Sequence, residues 1–356
     1  MSASGYVDRP GDFIASVPGS LGFLPHRSLI LVILRTDSAG LEVRDRAVVA
    51  RFDLTDTTAS ISARLRHVIA TMDADVVLAI VVDDRLALGT VPTSAPPPPS
   101  RILLEHLTRD LMPGPARIRG AWATAHITAG AAFWSLNDPA DRGVLPDPAL
   151  TPAALRRTVL GLPIQQSKAA LAETLTGDPA CVAAVAALLP DTLTTAQLAR
   201  STAHHEEEVS SFDQHGLWMV LTRISDIATT TKSLPPPVVA RLGAELSIPA
   251  VSQCLPATAV GEHRTAAEAL WTQLTRSLTG AARANPAVLL GHSAFLRGDG
   301  VLAALAVDIA LDADPGNLTA RLINAVLHHD LPPHALHRLA RYGTAAAADL
   351  GIHIDQ

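Results

Sequence analysis

The sequence predicts an α+β protein in which a small, mixed, partly parallel sheet with flanking helices precedes an α-helical domain. In the first 136 residues, β-branched runs alternate with helical periodicity, whereas alanine and leucine at helical spacing dominate from about residue 150. The 356 residues allow two domains at roughly 150 residues each. We therefore predict an α/β domain at residues 1–145 and an α-helical domain at residues 146–356, with the boundary in the stretch NDPADRGVLPDP.

Five apolar runs predict the strands of the sheet. They are Ser28–Arg35, Ala47–Leu54, Asp75–Asp84, Ala116–Ile127 and Ala131–Leu136. Between the second and third runs, apolar residues recur at helical spacing, and Thr57 or Thr58 can cap this helix. The order strand, helix, strand predicts that part of the sheet is parallel. The last two runs predict a hairpin that turns at Ala129 and Gly130.

The second half predicts helices, among them two separate ones at Asp178–Leu189 and Thr194–Glu208. The span Ala284–Asn317 is similar to one tetratricopeptide-type helix pair. Small residues such as Gly291 and Ala303 would let its two helices approach closely, and Gly298 would form the turn. A single pair cannot form a stable array, so we predict a local hairpin in a larger helical domain.

Two segments resemble the actinobacterial domain-of-unknown-function 4192 family. They are DFIASVPGSLGFLPHRSLILVILR (Asp12–Arg35) and LRGDGVLAALAVDIALDADPGNLTARL (Leu296–Leu322). The region around Trp134 and Ser135 falls in the matching order, but the stretch after it lacks the pair of cysteines that members often carry. The resemblance implies an α/β fold with a helical extension and supplies no activity, and any metal or redox role of those cysteines is not transferred.

Charge and targeting signals restrict the class of protein. The net charge of −6 argues against a nucleic-acid binder, which would carry a basic surface. Asp8 and Arg9 interrupt the N-terminus where a signal peptide needs an apolar core, and no stretch offers about 18 uninterrupted apolar residues. We therefore expect a cytoplasmic protein that does not span a membrane. Cys181 and Cys254 lie far apart and predict small buried residues rather than a disulfide framework.

Carboxylates at strand ends are the first candidate ligand-binding residues. Asp53 ends the second predicted strand, and Asp83 and Asp84 end the third, so all three could converge on one edge of the sheet. Such a group could hold Mg²⁺ or supply a general base. The alternative, which we favour, is that they turn the chain or cap a helix. His26 and Arg27 precede the first strand and would lie at the opposite edge if the strands were parallel.

Two tryptophans are the remaining candidate ligand-binding residues. Trp122 and Trp134 lie on neighbouring predicted strands and could line a pocket together, although core packing explains them more simply. The motif GHSAF at residues 291–295 lacks the closing glycine of a hydrolase nucleophile elbow. His334 and His337 share a helix face but lack the partners of a metal site, so we name no catalytic and no metal-binding residue. The sequence does not identify a cofactor.

These observations favour a non-enzymatic protein-interaction or regulatory module, and an enzyme is the less favoured reading. The helical half would bind a protein partner or a second copy, since apolar helix surface must be covered somewhere. The alternative is a small-molecule, nucleotide or Mg²⁺-binding enzyme or sensor that uses Asp53, Asp83 and Asp84.

Overall fold

The computed structural model of the chain describes residues 9–36, 48–86, 99–138, 140–201, 206–229, 233–328, 331 and 334–354. Contacts divide the chain into two compact units, Met1–Leu171 and Ala172–Gln356, where the sequence predicts a boundary at residues 145 and 146. The first unit contains a mixed six-stranded sheet with helices, and the second is helical among its described residues. The α+β fold class predicted from the sequence is confirmed.

The sheet of the first unit has the strand order β2-β1-β3-β4-β5-β6. Its strands are β1 (Ser28–Leu34), β2 (Val48–Asp53), β3 (Val76–Val82), β4 (Arg117–Thr124), β5 (Ala132–Ser135) and β6 (Arg142–Val144). Among the described strands, β3 and β4 are the one pair of parallel neighbours, and β1 is antiparallel to both β2 and β3. The strand–helix–strand unit is therefore present, but β1 lies between its two strands.

The last three strands are joined by antiparallel pairing. The predicted hairpin of β4 and β5 is confirmed, and Gly130 adopts a φ of +75° in its turn. Strand β6 was not expected, because its residues lie in the stretch that the sequence predicts as a domain boundary. Gly143 pairs with Phe133, and a side chain at position 143 would meet the Phe133 ring at 3.0 Å, so glycine lets β6 approach.

Helices α1 (Pro10–Leu21), α2 (Thr58–Met72) and α3 (Pro99–Leu111) cover the two faces of this sheet. Helix α4 (Pro152–Val159) packs on α1, and α5 (Lys168–Glu173) contains the residues at which the two units divide. Helices α2 and α3 pack on the face that carries Leu29 and Leu31 of β1. Helix α1 lies on the other face, where Phe13 makes an edge-to-face contact with Trp122. Thr57 caps α2 by accepting a hydrogen bond from Ser60 N, as predicted.

Helix α1 contains a proline–glycine pair, Pro18 and Gly19, of the kind that is common in turns, yet both residues lie inside the helix. Gly19 has a packing role, because a Cβ there would lie 2.6 Å from the backbone nitrogen of Ala154 in α4. The helix ends instead at Gly22, which adopts a φ of +80° and donates its N–H to Pro18 O.

The second unit is a set of packed helices with one large apolar core and a second, smaller apolar cluster. They are α6 (Pro179–Ser201), α7 (Glu206–Thr229), α8 (Pro236–Leu246), α9 (Pro249–Ser252), α10 (Arg264–Ser277), α11 (Ala284–Arg297), α12 (Gly300–Ala313), α13 (Leu318–Leu327) and α14 (His334–Asp349). Short 3-10 turns at Leu255–Ala259 and Gly280–Arg283 connect some of them. The core contains Leu189, Leu217, Leu242, Trp271 and Leu290.

Helix α6 overturns the prediction of two separate helices. It runs through Pro190 without a break, although proline lacks the N–H that the helix ladder needs. Val185 and Leu189 are buried just before the proline, and Leu193 packs against the same core just after it. Burial of one continuous stripe therefore outweighs the single lost hydrogen bond.

The predicted helix hairpin at residues 284–313 is present. Gly298 ends α11 with a φ of +93°, and Asp299 caps α12 by accepting from Leu302 N. A Cβ at Gly291 would lie 3.0 Å from Val307 and 3.3 Å from the carbonyl oxygen of Ala303, so the two helices approach closely there. The likeness of this pair to a tetratricopeptide repeat stays a prediction.

Among the described residues, α6 is the one helix that is long and apolar enough to cross a membrane by length and composition alone. A single such helix is weak evidence for a membrane span, because core helices of water-soluble proteins meet the same criterion. Helix α6 differs from a core helix in one respect. Only 11% of its most apolar window is buried.

Candidate functional site

The candidate carboxylates lie at one edge of the sheet in the first unit. Ser28, the first residue of β1, pairs with Asp53 of β2 on one side and with Val82 of β3 on the other. Because β1 is antiparallel to both neighbours, its beginning meets their ends. The structure therefore brings Asp53 and the Asp83–Asp84 pair to the same edge, as the sequence suggests.

The same antiparallel arrangement corrects the expectation for His26 and Arg27. These residues precede β1, so they lie at the edge of the three aspartates and not at the opposite one. We call the resulting group the sheet-edge cluster. It consists of His26, Arg27, Ser28, Arg51, Asp53, Asp83, Asp84 and Arg85.

Arginine side chains bind the two aspartates that follow β3. Arg27 donates from Nε to Asp84 Oδ1 at 2.8 Å and from Nη2 to Oδ2 at 3.3 Å. His26 Nε2 lies 3.3 Å from Asp84 Oδ2. Arg85 donates to both oxygens of Asp83 at 2.8 Å. Asp84 and Asp83 are therefore each bound by a two-point guanidinium contact.

Asp53 is bound by an arginine of its own strand. Arg51 donates to its two carboxylate oxygens at 2.7 and 2.6 Å, and these residues are two apart, on the same face of β2. Arg51 also donates from Nε to Ser28 Oγ at 2.9 Å, which links the strand end of β2 to the beginning of β1. The backbone N–H of Asp53 donates to Asp56.

Arg27 adopts an uncommon backbone conformation. Its φ is +43°, in the left-handed region where a residue with a Cβ is strained by about 1 kcal/mol. Its carbonyl oxygen accepts from Leu54 N, and its side chain reaches Asp84. The strand pairing and the ion pair together hold Arg27 in this conformation.

The charges of the cluster keep Asp83 and Asp84 ionised. Hydrogen bonds from Arg27, with a smaller effect of His26, hold the pKa of Asp84 well below its usual range. Hydrogen bonds from Arg85 lower the pKa of Asp83 although that residue is buried. A carboxylate that works as a general base near neutral pH needs a raised pKa. The arginines shift the pKa values of Asp83 and Asp84 in the opposite direction.

The bound carboxylates also have few oxygens left for a metal ion. Each of Asp53, Asp83 and Asp84 has both oxygens engaged by an arginine. Among the residues that the structure describes, no group of three or more histidine, cysteine, aspartate or glutamate side chains could hold a metal ion. The chemistry that the cluster offers is a network of ion pairs between strand ends.

The structure does not bring Trp122 and Trp134 together. In the register of β4 and β5, Trp122 pairs with Ser135 and Trp134 pairs with Ala123, so the two rings point to opposite faces of the sheet. Trp122 is buried against Phe13 and donates from Nε1 to Asp141 Oδ2 at 3.0 Å. Trp134 is half-buried and packs on the side of α2 and α3.

The arginine partners are the residues that sequence reasoning missed. Arg51 and Asp53, like Asp83 and Arg85, are two residues apart, and this spacing at strand ends is a signal that could have paired them. The pairing of Arg27 with Asp84 has no such signal. It depends on the position of β1 between β2 and β3, which local sequence does not encode.

The second unit presents a different candidate site, an exposed apolar surface on α6 and α7. On α6, Leu188 is 40% exposed, and the neighbouring alanines are exposed as well. On α7, Phe212 is 46% and Trp218 59% exposed, and the His215 ring stacks on Trp218 at 6.3 Å between centroids. Large exposed apolar side chains in a group are typical of a protein-binding surface.

The fold and these two sites describe an α+β chain with an ion-paired sheet edge and an apolar helical surface. The family model "Domain of unknown function (DUF4192)" matches residues 10–334, and the chain therefore belongs to this family. This agrees with the resemblance of the two sequence segments. No curated protein and no solved structure matches the chain.

Proposed function

We propose that this protein is a non-enzymatic protein-interaction module whose binding surface is formed by α6 and α7. The observation that carries the proposal is α6, an apolar helix of 23 residues of which little is buried. A surface helix normally carries charged residues on its outer face, whereas a helix that is apolar all round is normally covered. A protein partner would supply that cover.

The sheet-edge cluster supports the same conclusion from the other unit. Its three aspartates are bound by arginines, and the lowered pKa values of Asp83 and Asp84 suit a structural ion-pair network. In this proposal the sheet domain is a stable support, and the hairpin α11–α12 is a tetratricopeptide-like packing element of the helical unit.

Site-specific photo-crosslinking in the native host tests the proposal. A photoreactive phenylalanine analogue would replace Ala184 on the exposed side of α6, and the control would carry it at Tyr342, which is 68% exposed on α14. We expect protein adducts from position 184 and few from position 342. Equal adduct formation at the two positions, or none at 184, would contradict an interaction surface on α6.

The convergence of Asp53, Asp83 and Asp84 favours a second candidate, a small-molecule or nucleotide sensor at the sheet edge. Thermal-shift screening against nucleotides, divalent metal ions and common metabolites separates the two functions, because a ligand of the folded state raises the melting temperature. A shift that disappears in the double variant Asp83→Asn, Asp84→Asn would favour the sensor. We expect no such shift.

A further inference from the structure

Helix α4 of the first unit has its charged and its apolar side chains in reversed positions. Arg157 is buried on the inner side, where a Cβ at Gly22 would lie 2.7 Å from its Nη2. Leu155 and Val159 are one helical turn apart, share the outer face and are 49% and 86% exposed. A surface helix of a globular protein normally has the opposite arrangement. The outer side of α4 is therefore an apolar surface that the chain leaves uncovered.

Close packing on α1 fixes this orientation of α4. A Cβ at Gly19 of α1 would lie 2.6 Å from the backbone nitrogen of Ala154, which is buried. Thr151 caps the same end of α4 by accepting a hydrogen bond from Ala154 N. Turning α4 to bury Leu155 and Val159 would break this backbone contact. Their exposure is therefore a consequence of the fold.

Two further residues extend the outer side of α4. Leu150 is 70% exposed and ends the 3-10 turn Pro148–Leu150, which packs on both α1 and α4. Arg156 is exposed and lies one turn before Val159, so a positive charge borders the aliphatic side chains. We call Leu150, Leu155 and Val159 the α4 patch.

The chain around the α4 patch is basic. Between Asp147 and Glu173 the sequence contains Arg156, Arg157 and Lys168 and no acidic residue, although the whole chain has a net charge of −6. The packing partner α1 has a single acidic residue, which lies in its first turn, whereas α4 contacts its second half. A negatively charged surface can therefore approach α4 without facing a carboxylate of that helix, and it would meet Arg156.

We infer that the α4 patch is a contact surface for an anionic lipid bilayer. Exposed aliphatic side chains next to basic ones are the composition of helices that lie in the membrane interface. The three aliphatic side chains would enter the boundary between headgroups and acyl chains, and the guanidinium of Arg156 would bind a lipid phosphate. The contact is peripheral and spans no bilayer. It goes beyond the proposed function, which concerns the other unit.

The size and shape of the patch favour a bilayer over a protein partner. The eight residues of α4 are about 12 Å long and, with a width of about 10 Å, offer a footprint of roughly 120 Å². The 3-10 turn adds about 60 Å². A specific protein interface needs about 800 Å² per partner, whereas a bilayer needs no matching surface. Val159, with 86% of its surface exposed, projects outward and does not line a groove for a peptide.

Vesicle flotation of the full-length chain tests the inference. Because three aliphatic side chains alone bind weakly, anionic lipid should be required. The wild type should float with vesicles of phosphatidylcholine and about 30% phosphatidylglycerol, and much less with phosphatidylcholine alone. Salt at about 0.5 M should release it by screening the charges.

Substitutions at exposed positions assign the binding to the α4 patch. The double variant Leu155→Ser, Val159→Ser should lose flotation, and Arg156→Gln should bind about fivefold more weakly. Leu318→Ser, at a residue that is 77% exposed on α13, is the matched control and should float like the wild type. Val159→Trp adds apolar surface, and its indole should be quenched by brominated lipids, whereas that of Leu318→Trp should not.

Three results would each overturn the lipid contact. They are a wild type that does not float with the anionic vesicles, a double variant that floats as well as the wild type, and a tryptophan at position 159 that is not quenched. Protein adducts from a photoreactive analogue at position 159, without flotation, would show that a protein covers the patch. Photo-crosslinking from position 184 tests the other unit, so the proposed function and this inference can fail separately.

Discussion

Replacing His292 by glutamine should remove most of the acid sensitivity of the helical unit. His292 lies in α11 and is completely buried. Its Nε2 lies 2.9 Å from the carbonyl oxygen of Leu336, which can only accept, so Nε2 carries a hydrogen. Burial lowers the pKa of His292 from 6.5 to about 4, and the nearby His337 contributes in the same direction.

The pKa shift of His292 determines the size and the sign of the change in folding stability with pH. Above pH 6.5 neither the folded nor the unfolded chain binds a proton at His292, and the stability is fully present. Between pH 6.5 and 4 the unfolded chain binds the proton and the folded chain does not, so stability is lost as the pH falls. From the shift of His292, the loss is about 2 kcal/mol at pH 5 and about 3 kcal/mol at pH 4.

Other groups with shifted pKa values titrate outside the range from pH 6.5 to pH 4 or oppose the loss of stability. Asp83 and Asp84 have lowered pKa values in the folded state, so their contribution is lost only as the pH falls below their unfolded value of 3.8. Burial raises the pKa of Asp213, which makes the folded state bind protons more readily and opposes the loss. The difference between wild type and His292→Gln therefore isolates the histidine.

The assay must report the helical unit separately. Urea unfolding followed by hydrogen–deuterium exchange mass spectrometry on peptides of α11 gives a free energy of unfolding for this unit. Glutamine can still donate to Leu336 O, and it does not titrate. If wild type and His292→Gln lose the same free energy of unfolding between pH 7 and pH 4.5, burial of a neutral His292 is not the cause of acid sensitivity.

Three further substitutions test close packing and buried hydrogen bonds by the same assay on peptides of the corresponding unit. Gly343→Ala should destabilise by about 2 kcal/mol, because its Cβ would lie 2.7 Å from the carbonyl oxygen of Cys254. A gain in stability on this substitution would show that helix propensity, and not close packing, decides the outcome at position 343. Thr275→Val should stabilise by about 1 kcal/mol, since the buried hydroxyl has no hydrogen-bond partner among the residues that the structure describes. A loss would reveal a water molecule at this hydroxyl. Trp122→Phe should cost about 2 kcal/mol by removing the bond to Asp141, and an unchanged stability would refute that role.

Local patterns predicted most elements of the fold but not their order in the sheet. The apolar runs of β1, β2 and β3 were predicted within two residues, because a buried strand needs a run of this length. The insertion of β1 between β2 and β3 was not predicted. Periodicity encodes which side of a strand is buried, and it contains no information on which strand lies beside it.

The candidate site was likewise predicted only in part from local sequence. Asp53 and Asp83 were predicted to share an edge because each ends its strand, and this depends only on strand direction. The partner of Asp84 depends on the position and direction of β1, and Arg27 would lie at the opposite edge only if β1 were parallel to its neighbours. The chemistry changes with it, because an arginine at the same edge converts free carboxylates into ion pairs.

Composition also left the burial of α6 undetermined. Alanine is compatible with a core, a surface and an interface, so a segment with Ala183, Ala184 and Ala187 predicts a helix without predicting what covers it. In the structure the core accepts Val185 and Leu189 and leaves the alanines outside. Charged residues make up only 17% of the chain, and part of this deficit therefore lies on a surface. A folded core explains low charge inside a protein, whereas the low charge of the exposed side of α6 is what the proposed binding partner would explain.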